Sequence, residues 1–111
     1  MRNQNHYRQG DVGIARLAIL PKGLKPVDPQ GNLIVLAYGE ATGHHHAVSV
    51  ADNPGVEFFE STERPGFFVL RAPMGAIVKH QEHAPIVLPP GDYQVEHQVE
   101  YDPEGNRRVS D

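Results

Sequence analysis

The chain contains no cysteine and no tryptophan, and its longest uninterrupted apolar run is only residues 33–38. Without cysteine, disulfides, thiolate zinc sites, iron–sulfur clusters and cysteine nucleophiles are excluded, and any metal must be held by imidazole, carboxylate or backbone oxygen. An apolar run of that length is far too short to span a membrane. The polar segment 1–10 lacks the apolar core of a signal peptide. We therefore expect a cytoplasmic protein without a membrane partner.

Strong positive charge is also missing. The 14 acidic and 10 basic residues give a formal net charge of −4, which argues against a protein that coats nucleic acid through bulk charge. The 111 residues suit one domain with a modest core, and 39% hydrophobic with 22% charged residues is typical of a globular chain. We predict a single β domain over 1–111, with 1–6 and 103–111 as frayed tails.

Glycine and proline, in contrast, are plentiful, with 11 and 10 residues spread along the chain. Because no long window shows a helical period free of them, we predict an all-β fold. It would be a small antiparallel barrel or sandwich, a cupin-like jelly roll or a related architecture. The predicted strands are 12–20, 33–38, 44–50, 56–60, 67–71, 76–81, 86–88 and 93–101. Since small domains with several strand edges often oligomerise to cover them, we also expect a homo-oligomer.

Histidine is concentrated in two short clusters, and the first is the run 44–46. Imidazole is the commonest metal ligand in proteins, and it titrates near neutral pH. Residues two apart in a strand point to the same face, so His44 and His46 share the face of Val48, and His45 points the other way. Two imidazoles on one strand can reach a single ion at about 2.0–2.1 Å.

The second cluster comprises His80 and His83. Because they are three residues apart, a regular strand would direct their side chains to opposite faces. Pro85 ends a regular strand, and a bulge or turn before it could re-aim His83 toward the first cluster. Glu82 lies between the two histidines as a candidate ligand, orienting group or general base. Glu40, just before the first cluster, is a second carboxylate in reach. One shared ion requires the imidazoles of the two clusters to lie within about 8 Å of each other.

The segment 39–46 followed by the Pro-x-Gly of 89–91 resembles the two-part signature of cupins, small β-barrels that hold a metal with histidines and a glutamate. Only His44 and His46 match the cupin ligands. The glutamate of the first motif has no counterpart, and Gln94 stands where the second motif has a histidine. The resemblance implies a metal-binding barrel but does not account for the second histidine cluster.

Nearly end to end, the chain also resembles a family of small, uncharacterised bacterial proteins. The shared segments are Tyr7-Arg8-Gln9-Gly10-Asp11-Val12, Gly39-Glu40-Ala41-Thr42-Gly43-His44-x-His46, Glu82-His83-Ala84-Pro85-Ile86, Leu88-Pro89-Pro90-Gly91-x-Tyr93 and Gln98-x-Glu100-Tyr101. This resemblance implies a bacterial or phage origin and brings no activity with it.

These patterns favour a metal-dependent enzyme that uses activated water. His44, His46, His80 and His83 would hold a divalent ion, either zinc, nickel, iron or manganese, with an open position for water. Glu82 and His83 are the candidate catalytic residues, with Glu82 moving protons. The substrate, a small molecule or a nucleic acid, is not specified by the sequence.

Two other functions stay open. A metal-independent histidine RNase or phosphodiesterase would use one imidazole as base and another as acid; the paired histidines fit it, whereas the negative charge and the lack of an evident phosphate-binding lysine oppose it. A non-enzymatic metal- or ligand-binding accessory module would instead show a full metal shell. Cleavage that survives a chelator would identify the first of these alternatives.

Overall fold

The structure is a computed structural model that describes residues 6–10, 12–38, 45–81, 83–97, 99–102 and 105–108. The regular structure in these ranges is β throughout. The strands are β1 His6–Gln9, β2 Val12–Leu17, β3 Leu24–Pro26, β4 Leu33–Tyr38, β5 His45–Ser49, β6 Glu57–Ser61, β7 Phe67–Ala72, β8 Ala76–Val78, β9 Ile86–Leu88, β10 Gly91–His97, β11 Val99–Asp102 and β12 Gly105–Arg108. Within the described ranges, no helix is long and apolar enough to cross a membrane.

Six of the strands form one antiparallel sheet in the order β1-β2-β10-β7-β6-β3, and the others form the hairpins β4–β5, β8–β9 and β11–β12. Backbone hydrogen bonds of 2.9 Å in both directions between Ala47 and Lys79 connect the β4–β5 hairpin to the chain leaving β8. The two hairpins thereby form a second layer, which shares a core with the large sheet. The predicted all-β, antiparallel class is confirmed, and of the two predicted architectures the sandwich fits.

The core lies between the large sheet and the second layer. Its main apolar side chains are Val12, Ile14, Phe58, Leu70, Ala72, Tyr93 and Val95 from the sheet, and Ile34, Leu36, Val48, Ala76, Val78 and Leu88 from the second layer. Each large aliphatic side chain buried in this way stabilises the fold by about 1.5–3 kcal/mol. The Tyr93 hydroxyl donates to the Pro89 carbonyl, and burial raises the pKa of this phenol against the opposing charge of Arg16.

The sequence prediction matches the strands with the strongest apolar pattern. The strand 33–38 occurs as predicted, and the predicted hairpin of 56–60 with 67–71 is the antiparallel pair β6–β7. These segments combine apolar or aromatic residues with flanking turn residues, which is the local signal that strands give.

Polar segments account for the differences. His6–Gln9, none of which was predicted as strand, forms β1 at the edge of the large sheet, where a strand needs few apolar residues. The predicted strand 93–101 is divided between β10 and β11. Gly105–Arg108, predicted to belong to a frayed tail, pairs with β11 as an antiparallel hairpin. The proline and glycine at 103 and 105 are residue types common in turns, although no hairpin was predicted from them.

Asn53 connects the two hairpins of the second layer and supports a stability prediction. It is buried, its amide donates to the Ser49 carbonyl at 2.7 Å, and its Oδ1 accepts from the Ile77 backbone N–H at 3.1 Å. Replacing Asn53 by alanine leaves both backbone groups unsatisfied, so we expect the free energy of unfolding to fall by about 2–4 kcal/mol in urea denaturation. Asn32→Ala, at an exposed asparagine, should change it by less than about 0.5 kcal/mol. Equal effects of the two variants would contradict the role of Asn53.

Candidate functional site

The site begins at His46 in β5, whose side chain is 0% exposed and lies in the interior beside the core. His45 is half-buried, and its backbone N–H donates to Gln81 Oε1 at 3.0 Å. His46 is therefore directed inward as predicted, while its neighbour His45 is partly exposed. A fully buried imidazole is costly unless it is hydrogen-bonded or bound to an ion, so the contacts of this ring decide its chemistry.

The chain that leaves β8 brings the second histidine cluster to His46. The ring centroid of His80 lies 4.3 Å from that of His46, and the ring centroid of His83 lies 6.2 Å from it. The His80 and His83 rings are 4.6 Å apart, and the Nε2 atoms of both are buried. All three distances are within the limit of about 8 Å for a shared ion. The predicted bend before Pro85 therefore does direct both histidines to the same place.

Gln9, at the end of β1, holds the cluster in position. Its side chain is 2% exposed, and its Nε2 donates to the carbonyls of Val78 at 3.2 Å and Ala84 at 2.8 Å. Its Oε1 lies 2.8 Å from His46 Nδ1. Because two carbonyl oxygens can only accept, the amide nitrogen must face them and Oε1 must face the imidazole. Gln9 thereby ties β1 to β5, to the end of β8 and to the residue after His83.

This amide orientation determines the tautomer of His46. Since Gln9 Oε1 can only accept, His46 Nδ1 must carry the hydrogen and donate it. The neutral ring then has its lone pair on Nε2. A metal-binding histidine in proteins usually donates its other ring N–H to a carbonyl or carboxylate in the same way. His46 therefore has the protonation pattern of a ligand that binds through Nε2.

His80 has a different hydrogen-bonding pattern. Its Nδ1 accepts the backbone N–H of His83 at 3.3 Å, a long contact that closes the turn between the two histidines. In the neutral ring this places the hydrogen on Nε2. Binding of an ion at His80 Nε2 would therefore require the proton to leave that atom.

The described residues do not form a closed metal shell. Among them, no group of three or more His, Cys, Asp or Glu side chains is arranged to hold a metal ion. Imidazoles that bind one ion at about 2.1 Å have ring centroids roughly 4.5–5.5 Å apart. The His46–His80 and His80–His83 separations are near this range, whereas the His46–His83 separation of 6.2 Å is wider. Shared binding requires His46 and His83 to approach by roughly 1 Å.

Several residues predicted from the sequence lie outside the described part of the chain. These are His44, the predicted strand partner of His46, together with Glu82, the predicted proton carrier, and Glu40. The structure places His46, His80 and His83 together, and it adds Gln9. Sequence reasoning missed Gln9 because a neutral amide gives no chemical signal; its buried position at the end of a polar edge strand is visible only in the fold.

A family model described as a domain of unknown function, DUF8820, matches residues 8–98. The chain belongs to this family. The range matched by DUF8820 includes Gln9, His46, His80 and His83, so the whole described cluster lies within it. Comparison with curated proteins and with solved structures finds no match. Membership of DUF8820 confirms that the chain belongs to an uncharacterised family and supplies no activity. The shared motif pattern, the bacterial or phage origin and the likeness to cupins stay sequence expectations.

Proposed function

We propose that this DUF8820 chain binds a divalent transition-metal ion through His46, His80 and His83, and that the bound ion activates water for a hydrolytic reaction. The observation that carries the proposal is the Gln9–His46 hydrogen bond. It assigns the hydrogen to Nδ1 and the lone pair to Nε2 of a fully buried imidazole, whose ring lies beside two more histidines. Zinc, nickel, iron and manganese are the candidate ions, because the chain offers nitrogen and oxygen ligands and no thiolate.

The chemistry of three imidazole ligands supports catalysis. Three protein ligands leave an open coordination position, in which a bound water has its pKa lowered toward neutrality. His44 is the alternative third nitrogen if His83 does not bind the ion but acts in catalysis. Glu82 is the carboxylate that moves the proton. A closed shell of four protein nitrogens would instead indicate an accessory metal-binding module.

Metal titration tests the proposal. We expect zinc to bind in a one-to-one ratio and, at a free concentration of 100 times Kd, to raise Tm by roughly 10 °C. Binding at Nε2 moves the hydrogen of neutral His80 to Nδ1 of the same ring, so this ligand should contribute no net proton release, which calorimetry in buffers of different ionisation enthalpy measures. Nickel and manganese serve as parallel titrations, and magnesium as the control ion. Absence of bound metal after loading, with no thermal shift for any of these ions, would refute the proposal.

A specific observation also favours the metal-independent alternative. In the described arrangement His46 Nε2 bears a lone pair and His80 Nε2 bears a hydrogen, and the two rings lie 4.3 Å apart. A base and an acid at this spacing fit the cleavage of a phosphodiester with a neighbouring hydroxyl. RNA cleavage that survives a chelator, with a bell-shaped pH profile that is lost in His46→Asn, would establish this function in place of the metal-dependent one.

A further inference from the structure

A cavity of about 250 Å³ lies beside the histidine cluster, against the outward face of β5. Its lining comprises Leu33, His45, Ala47, Ser49, Lys79, His80 and Gln81. His45, Ala47 and Ser49 alternate with the inward His46 along the strand. His80 belongs both to this lining and to the histidine cluster, so a molecule in the cavity would lie next to the proposed metal.

The charge of the lining is opposite to that of the chain. The protein has a formal net charge of −4, yet among the residues that the structure describes none of those lining the cavity is acidic, and Lys79 contributes a positive charge. The paired backbone bonds between Lys79 and Ala47 fix the Lys79 main chain beside β5, and the Lys79 side chain is exposed. A single local positive charge on a negative protein favours a small anion over an extended polyanion.

The neutral polar groups in the lining are also donors. Gln81 Oε1 already accepts from the backbone N–H of His45, which leaves the amide hydrogens of Gln81 to donate elsewhere. Ser49 Oγ accepts from the Asp52 backbone N–H at 3.3 Å, so its hydroxyl hydrogen is directed to another acceptor. An ammonium, an amide N–H and a hydroxyl are suited to a carboxylate, which can only accept.

The rest of the cavity is apolar and small. Leu33 and Ala47 provide an apolar wall, and the volume is below the range typical of drug-sized ligands. We propose that the cavity binds a small monocarboxylate with a short apolar body, whose carboxylate contacts Lys79. The view that this carboxylate is the substrate of the metal centre rests on the proposed function. Binding of the carboxylate in the cavity does not depend on that function.

Benzoate is the probe, titrated into the full-length chain by calorimetry and by NMR. We expect benzoate to bind the wild type, with Lys79→Met weakening binding at least about 10-fold, because a charge-assisted hydrogen bond is lost. Lys25→Met, which removes an exposed lysine from β3 in the other layer, is the matched control and should leave the affinity unchanged. Zinc affinity should be the same in all three proteins, because Lys79 is not a ligand.

The outcomes separate this proposal from the metal proposal. Benzoate binding that depends on Lys79 in a protein that binds no zinc would establish the carboxylate site and refute the metal centre. Zinc binding without benzoate binding, or benzoate binding that is equal in wild type and Lys79→Met, would overturn the carboxylate site. Inorganic phosphate should bind more weakly than benzoate, because it has no apolar part for Leu33 and Ala47; tighter phosphate binding would also overturn it.

Discussion

Replacing His46 by asparagine is expected to lower zinc affinity by at least about 100-fold while the protein stays folded. The asparagine amide nitrogen occupies nearly the place of histidine Nδ1, so it can still donate to Gln9 Oε1, 2.8 Å away in the wild type. The lone pair of Nε2 is lost. Changes to outer-shell partners alone typically cost 10–100-fold in metal affinity, so loss of a ligand should cost more.

The neighbouring histidine provides the control for this variant. His45→Asn changes the same residue type one position away, on the half-buried face of β5. It should bind zinc as the wild type does, and urea denaturation should show both variants folded. Equal zinc affinity in His45→Asn and His46→Asn would show that His46 is not a zinc ligand, even if the wild type binds zinc.

Replacing Gln9 by methionine is expected to affect both stability and metal binding. Three hydrogen bonds end on this side chain, at the carbonyls of Val78 and Ala84 and at His46 Nδ1. Buried groups that lose their partner cost about 1–3 kcal/mol each, so we expect the free energy of unfolding to fall by about 3 kcal/mol. Zinc affinity should fall roughly 10–100-fold, because nothing then selects the Nε2 lone pair of His46.

A second substitution at Gln9 separates a positioning role from a structural one. Gln9→Glu keeps an oxygen that accepts from His46 Nδ1–H but removes the amide hydrogens that reach Val78 and Ala84. Both variants should therefore lose stability, while ¹⁵N NMR of the imidazoles should show a changed His46 tautomer only in Gln9→Met. Gln30→Met, at an exposed glutamine, should change neither property. An unaltered His46 tautomer in Gln9→Met would rule out the positioning role.

The sequence predicted most where the signal is local. The apolar run 33–38 and the aromatic hairpin β6–β7 carry strand-forming residues between turn formers, so their positions follow from nearest neighbours. The edge strand β1 was not predicted, because a polar strand that pairs on one side has no apolar alternation to reveal it. Residues 99–101 were predicted as strand, but their pairing with 105–108 was not, because the segment 105–108 is polar.

For the site, too, local sequence signals were predictable and contacts between distant residues were not. The sequence by itself determined an all-β chain without thiolates, in which strand alternation directs His46 inward and the residues before Pro85 carry two more histidines. Only the tertiary structure brought these clusters together and placed Gln9 against them, across 37 residues to His46 and 75 to Ala84. The tautomer of His46 depends on its contact with Gln9. The orientation of the Gln9 amide is set by hydrogen-bond partners that are distant in sequence and come together only when the strands pack.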